Sequence, residues 1–381
     1  MRFLFYTHSL VSDWNHGNAH FLRGVMKELL KQGHEAHALE PENGWSRRNL
    51  ESEHGEAAIA AFQHAFPMLK SQCYGPDFNH EATLAGADVV VVHEWTDPDL
   101  VARIGRARRE EDFTLLFHDT HHRAVSAGED MAALELADYD AVLAFGEALS
   151  ERYRKAGWGR KVFTWHEAAD DTLFHPMPEM ERQGDLVWIG NWGDDERSRE
   201  LAEFLLEPVA RLSRERAVPV QADIHGVRYP ALALDALGAA GLAYHGWIAN
   251  AEVPHCFAAH AFTIHVPRRP YVDHLPGIPT IRVFEALACG IPLLSAPWND
   301  CEGLFTPGKD FLFARNSGEM ARLMEDLLQD AAMRQAFAAE GLATIRARHT
   351  CRHRVLELLD ILSSLGVDRR SLSLQAGEAA E

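Results

Sequence analysis

Apolar residues along this chain come in short runs separated by longer stretches in which they recur every third or fourth position. The short runs read as buried parallel strands and the longer stretches as amphipathic helices, the alternation of a doubly wound α/β protein. In the first half the runs fall at 2–6, 35–39, 88–92, 114–117, 140–145 and 161–165. Between the first two, Phe21, Leu22, Val25, Met26, Leu29 and Leu30 share one helical face, and Gly33 ends the helix. This is a βαβ unit. The pattern restarts at 185–189, 220–224, 242–245, 261–266 and 291–295. From 168 to 184 the strand signal lapses and Pro176 and Pro178 appear, which predicts a hinge. The expected organisation is a first α/β domain over 1–175, a second over 176–345, and a final segment, 346–381. That segment holds a helix expected to pack back on the first domain, and a small, polar tail expected to be disordered.

The length of 381 residues suits two domains, and 47% hydrophobic with 24% charged residues suits ordinary cores rather than a low-complexity chain. The formal net charge is -19. Split at residue 175, it is 17 Lys+Arg against 28 Asp+Glu, net -11, and 20 against 28, net -8, so neither half hides a basic face. A phosphate backbone or an anionic bilayer would be repelled, which excludes nucleic acid as a partner. The five cysteines, Cys73, Cys256, Cys289, Cys301 and Cys351, are scattered and form no CxxC pair, so neither a disulfide framework nor a zinc ribbon is expected. The apolar opening is too short for a signal-peptide core and no stretch of about 18 apolar residues occurs, so a cytoplasmic chain without a transmembrane segment is expected.

Candidate chemistry lies where strands end. Thr280 and Gly290 read as the caps of a helix too apolar for a surface position, yet Glu285 sits inside it. A carboxylate there needs a partner, which could be a ribose diol or Arg282, one turn back. Trp188 to Arg197 reads as a strand running into a glycine turn, with Gly190, Asn191 and Gly193 ahead of Arg197; such a turn admits a phosphate and a nearby cation neutralises it, or Arg197 pairs with Asp194 or Asp195. Tyr244-His245-Gly246-Trp247-Ile248 ends another strand, and Trp247 or Ile248 forms either a ligand wall or core. In the first half, His16-Gly17-Asn18 opens the first helix, and His118, His121 and His122 cluster as HxxHH after the fourth strand. Three histidines this close raise a metal site, but no second cluster at zinc spacing accompanies them.

The run FEALACGIPLL at 284–294, the run from Glu302 through Gly303, Leu304 and Phe305 to Leu312, and the late His349-Thr350-Cys351 together resemble GT-B glycosyltransferases. The closest likeness is to the spore-maturation-type group (glycosyl transferases group 1), related to the large retaining family four. Gly33-His34, Asp138-Tyr139-Asp140 and Asp171-Thr172-Leu173-Phe174-His175-Pro176 extend the resemblance over most of the chain; it is weakest over 42–87, where Trp45 and Ser46 are expected to face the acceptor. The resemblance implies two doubly wound Rossmann-like domains facing across a cleft. It implies transfer of a hexosyl-type sugar from a nucleoside-diphosphate sugar to a glycan, lipid-linked or small-molecule acceptor, with retention and with neither a metal nor a cofactor. Glu285 would hold the donor ribose, and Arg282 and Arg197 the diphosphate. Gly17, Gly190, Asn191, Gly246 and Thr280 complete the implied donor site. His118, with Asp119 and His16, would lie near the reacting carbon, and Asp13, His16 or His118 would be the base of an inverting reaction. One departure stands out: the first Glu of the family's E-x7-E pattern is Gly277 here. That keeps two other readings open, a catalytically degenerate binding module and a nucleotide-sugar epimerase. A dehydrogenase is the least favoured rival, since no GxGxxG with a later acidic residue follows any strand.

Overall fold

The computed structural model describes residues 1–15 and 17–367. The chain forms two compact units, Met1–Glu167 together with the chain from Cys351 onward, and Ala168–Thr350. The units thus divide after Glu167 and after Thr350, against 175 and 345 in the sequence reading. The shift has a local cause: Ala169 bridges to Thr350 and donates its N–H to the His349 carbonyl at 3.0 Å, so the entering and leaving strands of the second unit are tied together.

The first unit is built on seven parallel strands, β1 (Arg2–Tyr6), β2 (Glu35–Pro41), β3 (Lys70–Tyr74), β4 (Val89–His93), β5 (Thr114–Asp119), β6 (Ala141–Ala144) and β7 (Val162–Thr164), in the order β3-β2-β1-β4-β5-β6-β7. The central β4, Val-Val-Val-Val-His, is buried at every residue, as a strand covered on both faces must be. The predicted helix spans Ala19–Lys31 and buries Phe21, Val25, Met26 and Leu29. The helix Cys351–Ser364 packs on it, anchored where the Trp165 indole N–H donates to the Arg354 carbonyl at 2.8 Å.

The second unit carries β8 (Gly184–Ile189), β9 (Ala222–His225), β10 (Ala243–Gly246), β11 (His260–His265), β12 (Leu293–Ser295) and β13 (Leu312–Phe313), in the order β10-β9-β8-β11-β12-β13, again parallel throughout. Its core lies under Leu186, Trp188, Phe204, Phe262, Ile264 and Met324. In each sheet the strand order reverses beside the first strand, between β1 and β4 and between β8 and β11. Connections leave a reversal point towards opposite faces, so a crevice opens at the C-terminal ends of those two strands, and ligands of such folds bind there. The tail expected to be disordered lies outside the described residues.

Candidate active site

At the β8/β11 reversal point the chain places a buried cation. Arg197 is 8% exposed, with its guanidinium carbon 5.1 Å from the centre of the Trp188 ring. It donates from Nη1 to the Val266 carbonyl at 3.2 Å and from Nη2 to the Asn191 carbonyl, while its buried Nε–H has no hydrogen-bond partner. Burial, with Arg268 close by, lowers its pKa from 12.5 to about 9. Arg268 itself is paired to Glu196 at 3.1 Å and Arg269 to Glu200 at 2.8 Å. A charge this deep, bonded only to neutral carbonyls, is costly unless an anion joins it.

The glycine turn serves this cation. A Cβ on Gly193, whose φ is +78°, would lie 2.8 Å from Arg197 Nε, and one on Gly190 would lie 3.3 Å from its Nη2. The turn therefore wraps the guanidinium, leaving no room for side chains. Gly190 also locks to the neighbouring strand ends: its carbonyl accepts from the Tyr229 hydroxyl at 2.8 Å, and Asn191 Oδ1 accepts from the Val227 N–H at 3.1 Å. Gly226 donates its N–H to the Gly246 carbonyl at 2.8 Å, joining Gly246 to the same edge. A Cβ on Gly226 would fall 2.1 Å from the Gly190 carbonyl oxygen, a backbone atom that cannot swing aside. Gly226→Ala is therefore expected to cost on the order of 3 kcal/mol, the upper end for overpacking. Chemical denaturation of the two proteins would read it; an unchanged midpoint would show that the 190–193 turn yields freely.

Glu285 is fully buried in the helix Ile281–Cys289, which starts at Thr280 and ends at Gly290 with φ +66°. Arg282 Nη1 donates to its Oε2, so Arg282, one of the two partners that the sequence left open for Glu285, is bonded to it. Thr280 stands at the N-cap with no hydrogen bond from its side chain to the helix. Gly277, with φ +88°, occupies the E-x7-E position, and a Cβ there would lie 2.9 Å from Glu302 Oε1. Glu302, from the loop after β12, thus packs against the position where the family's first Glu is absent.

In the first unit the β1/β4 reversal point gathers groups that the sequence kept apart. His8, His93 and His118 follow or end β1, β4 and β5, with ring centres 5.6 Å apart for His8 and His93 and 5.7 Å for His93 and His118. Glu94 Oε2 lies 2.9 Å from His93 Nδ1, and His93 Nε2 lies 3.1 Å from Thr120 Oγ1, which also accepts from Asn18 Nδ2 at 2.7 Å. Burial raises the Glu94 carboxyl to about 8 and the Asp119 carboxyl, with Glu94 adding to it, also to about 8. Burial likewise lowers His93 to about 3 and pushes His118 well down. Burial therefore favours the uncharged form of Glu94, Asp119, His93 and His118, and the Thr120 hydroxyl donates to Glu94 Oε1 at 3.4 Å.

His118 sits deep against Trp165, ring centres 4.9 Å apart, and its buried Nε2 has no hydrogen-bond partner. Asp119 accepts from the Tyr153 hydroxyl at 2.7 Å and from the His121 N–H at 3.0 Å. The rings of His121 and His122 lie 4.0 Å apart, tilted by 33°, with His121 beside Trp95, so the HxxHH run turns away from His118 after β5. Among the described residues no three His, Cys, Asp or Glu side chains group as metal ligands. Asp13, an alternative base, is tied to buried Arg23 at 2.9 Å. Gly17 accepts the His20 N–H at 3.3 Å just ahead of the first helix. His16 and the Asp194 side chain lie outside the described residues.

Asp119 supplies a pH prediction. Its proton is held in the folded state up to about pH 8, whereas an unfolded Asp releases it near 4. Its contribution to stability is complete below pH 4 and is lost as pH rises through 8. Asp119→Asn is therefore expected to gain melting temperature relative to the parent progressively over that window. A constant difference across thermal melts from acid to alkaline pH would contradict this.

Residues 197–360 match the family described as glycosyl transferase-like. No curated protein matches the chain. Among solved structures, the Anabaena protein HepE, crystallised with UDP and glucose, is similar at 16% identity and a TM-score of 0.66, over 96% of this chain and 100% of that one. Sucrose-phosphate synthase from Thermosynechococcus elongatus is similar at 12% identity and 0.65, over 96% and 99%. T4 phage β-glucosyltransferase, in complex with its UDP-glucose substrate, is similar at 12% and 0.59, over 96% and 99%. The fold is therefore GT-B. The chain thus shares the fold of these proteins, and its 197–360 segment is similar to the glycosyl transferase-like family. No helix among the described residues is long and apolar enough to cross a membrane.

Proposed function

We propose that this protein transfers a sugar from a nucleoside-diphosphate sugar, held at the C-terminal ends of β8 and β11, to a glycan, lipid-linked or small-molecule acceptor. The observation that carries the reading is Arg197, a buried guanidinium with an unpaired Nε–H at the reversal point of the second sheet. A diphosphate supplies the missing anion, and preorganised donors of this kind stabilise the charge that develops on a departing phosphate. The nucleotides bound by HepE and by T4 β-glucosyltransferase support the same ligand class. With Arg197 and Arg268 as resident cations, the reaction is proposed to need neither a divalent metal nor a cofactor.

The reading extends to retention. Inversion requires a base near the acceptor, and burial keeps Glu94 and Asp119 protonated at neutral pH and makes His93 and His118 weak bases. Attack on the leaving-group face, with the departing phosphate taking the acceptor's proton, requires no such base.

The test is a thermal-shift panel of UDP, GDP, dTDP, ADP and CMP with and without EDTA. A ligand at about 100 times its dissociation constant adds roughly 2.7 kcal/mol of stability. Stabilisation by one nucleoside diphosphate, unaffected by EDTA, is the expected result. No response to any of them would sink the donor reading and leave a binding module.

A further inference from the structure

His265, the last residue of β11, was not singled out by its sequence, where it reads as the end of the buried strand Ala-Phe-Thr-Ile-His. It is 3% exposed. The Ser295 hydroxyl lies 2.8 Å from the Ala296 carbonyl, which can only accept, and 3.0 Å from His265 Nδ1. With the hydroxyl proton on that carbonyl, the ring donates to Ser295 and carries its hydrogen on Nδ1, the tautomer on which the proposal below is built. Burial, and Arg197 second, holds the imidazole neutral by lowering its pKa to about 3, which leaves Nε2 a bare lone pair, buried and without a partner. The groups around it are Arg197 from the loop after β8, Arg268 beyond β11 with Glu196 paired to it, and Ser295 and Trp298 from the β12 side. Trp298 meets the His265 ring edge-on at 5.9 Å, and its buried indole N–H also has no partner.

A bare lone pair beside a guanidinium is the wrong face to present to a phosphate oxygen. Either the anion is kept away or the imidazole gains a proton. Arg197 and Trp298, both neighbours of His265, each carry an unpaired buried N–H that suits an anion, and an anion there would cancel the cation that opposes protonation. On the basis of the donor reading above, we propose that His265 takes up one proton from solvent at Nε2 when a nucleoside diphosphate binds, and hydrogen-bonds a phosphate oxygen with it. In the transfer step the acceptor oxygen bonds the sugar carbon as the bond from that carbon to the phosphate oxygen breaks, its electron pair staying on the phosphate, which also takes the acceptor's proton. The imidazolium then meets that charge without a metal.

Calorimetric titration with UDP, or with the diphosphate that answers the panel, in phosphate and in Tris counts the protons exchanged. The wild type is expected to take up close to one more proton than His265→Gln, whose amide N–H can still donate to the phosphate and so keeps binding. The terminal phosphate of UDP itself titrates nearby, but equally in both proteins. Wild-type affinity should fall about tenfold per pH unit over the range in which the bound imidazole keeps its proton and the free one has lost it, then level off as the bound ring also loses it, and the variant's should show no such fall. Ser295→Ala gives an independent check: without the hydroxyl that fixes the Nδ1 proton, the ring can move it to Nε2, so uptake should drop while binding persists. Binding with equal proton counts in wild type and His265→Gln would overturn the proposal and leave the donor reading intact. Absence of binding by any diphosphate would overturn both.

Discussion

Replacing Arg197 with Met is expected to leave the melting temperature close to the parent's while abolishing the response to nucleoside diphosphates. The reason is an imbalance at the site. Lowering the pKa of the guanidinium from 12.5 to about 9 means that the fold disfavours the charge by roughly 5 kcal/mol. Its removal forfeits two hydrogen bonds, to the carbonyls of Asn191 and Val266, and leaving each carbonyl unpaired costs about 1–3 kcal/mol. The opposing terms are of similar size, and Met keeps the contact with Trp188. Nothing compensates on the ligand side. Losing a preorganised donor to developing phosphate charge costs about a hundred- to a thousandfold in turnover. An arginine kept for stability alone would behave the other way, with a large fall in melting temperature and unchanged nucleotide affinity. Melting curves with and without the nucleotide separate the two cases on one set of samples.

The contrast between Arg197 and His265 also shows what was legible in the sequence. Arg197 follows a strand and a glycine turn, a pattern visible in one dimension, whereas His265 ends an apolar run and looks like core until its neighbours are known. His93 and Glu94 escaped notice for the same reason: they close the most apolar strand of the chain. Only the order β2-β1-β4 brings them beside His8, and strand order is not written in local periodicity. The strands themselves were legible where both faces are buried. β3, Lys-Ser-Gln-Cys-Tyr, was not, because its residues are mostly polar and an exposed sheet edge asks for no apolar run there. β13 is two residues long, too short for any period. The helices Trp45–His54 and Glu56–Ala65 fall in the stretch where the resemblance was weakest. Glu302 could not have been matched with Gly277 from spacing, since a positive φ and a loop contact put them together.

Glu285→Gln is the variant that separates ribose binding from a purely structural pair, because it keeps the shape and removes only the charge. Glu285 is fully buried and bonded to Arg282, whose side chain is 25% exposed. Breaking a buried pair by removing one partner costs about 3–5 kcal/mol, and the exposure of Arg282 moves the expectation to the lower end, since its guanidinium can reach water. Instability alone would therefore not distinguish the readings. The difference lies in the affinity measured on folded protein. If Glu285 also accepts ribose hydroxyls, each lost charge-assisted hydrogen bond is worth about 1.5–3 kcal/mol, so nucleotide affinity should fall about ten- to a hundredfold or more. Arg282→Met removes the other half of the pair and frees the carboxylate oxygen that Arg282 now occupies. If Arg282 holds the Glu285 carboxylate in place and does not touch phosphate, this variant loses stability while nucleotide affinity changes only slightly. If Arg282 does reach the diphosphate, both variants lose affinity, and the double variant loses less than the sum of the two, as expected for residues acting through one contact. Equal destabilisation by both variants with unchanged affinity in each would assign the pair to the fold alone, and would leave Arg197 as the residue on which the donor site rests.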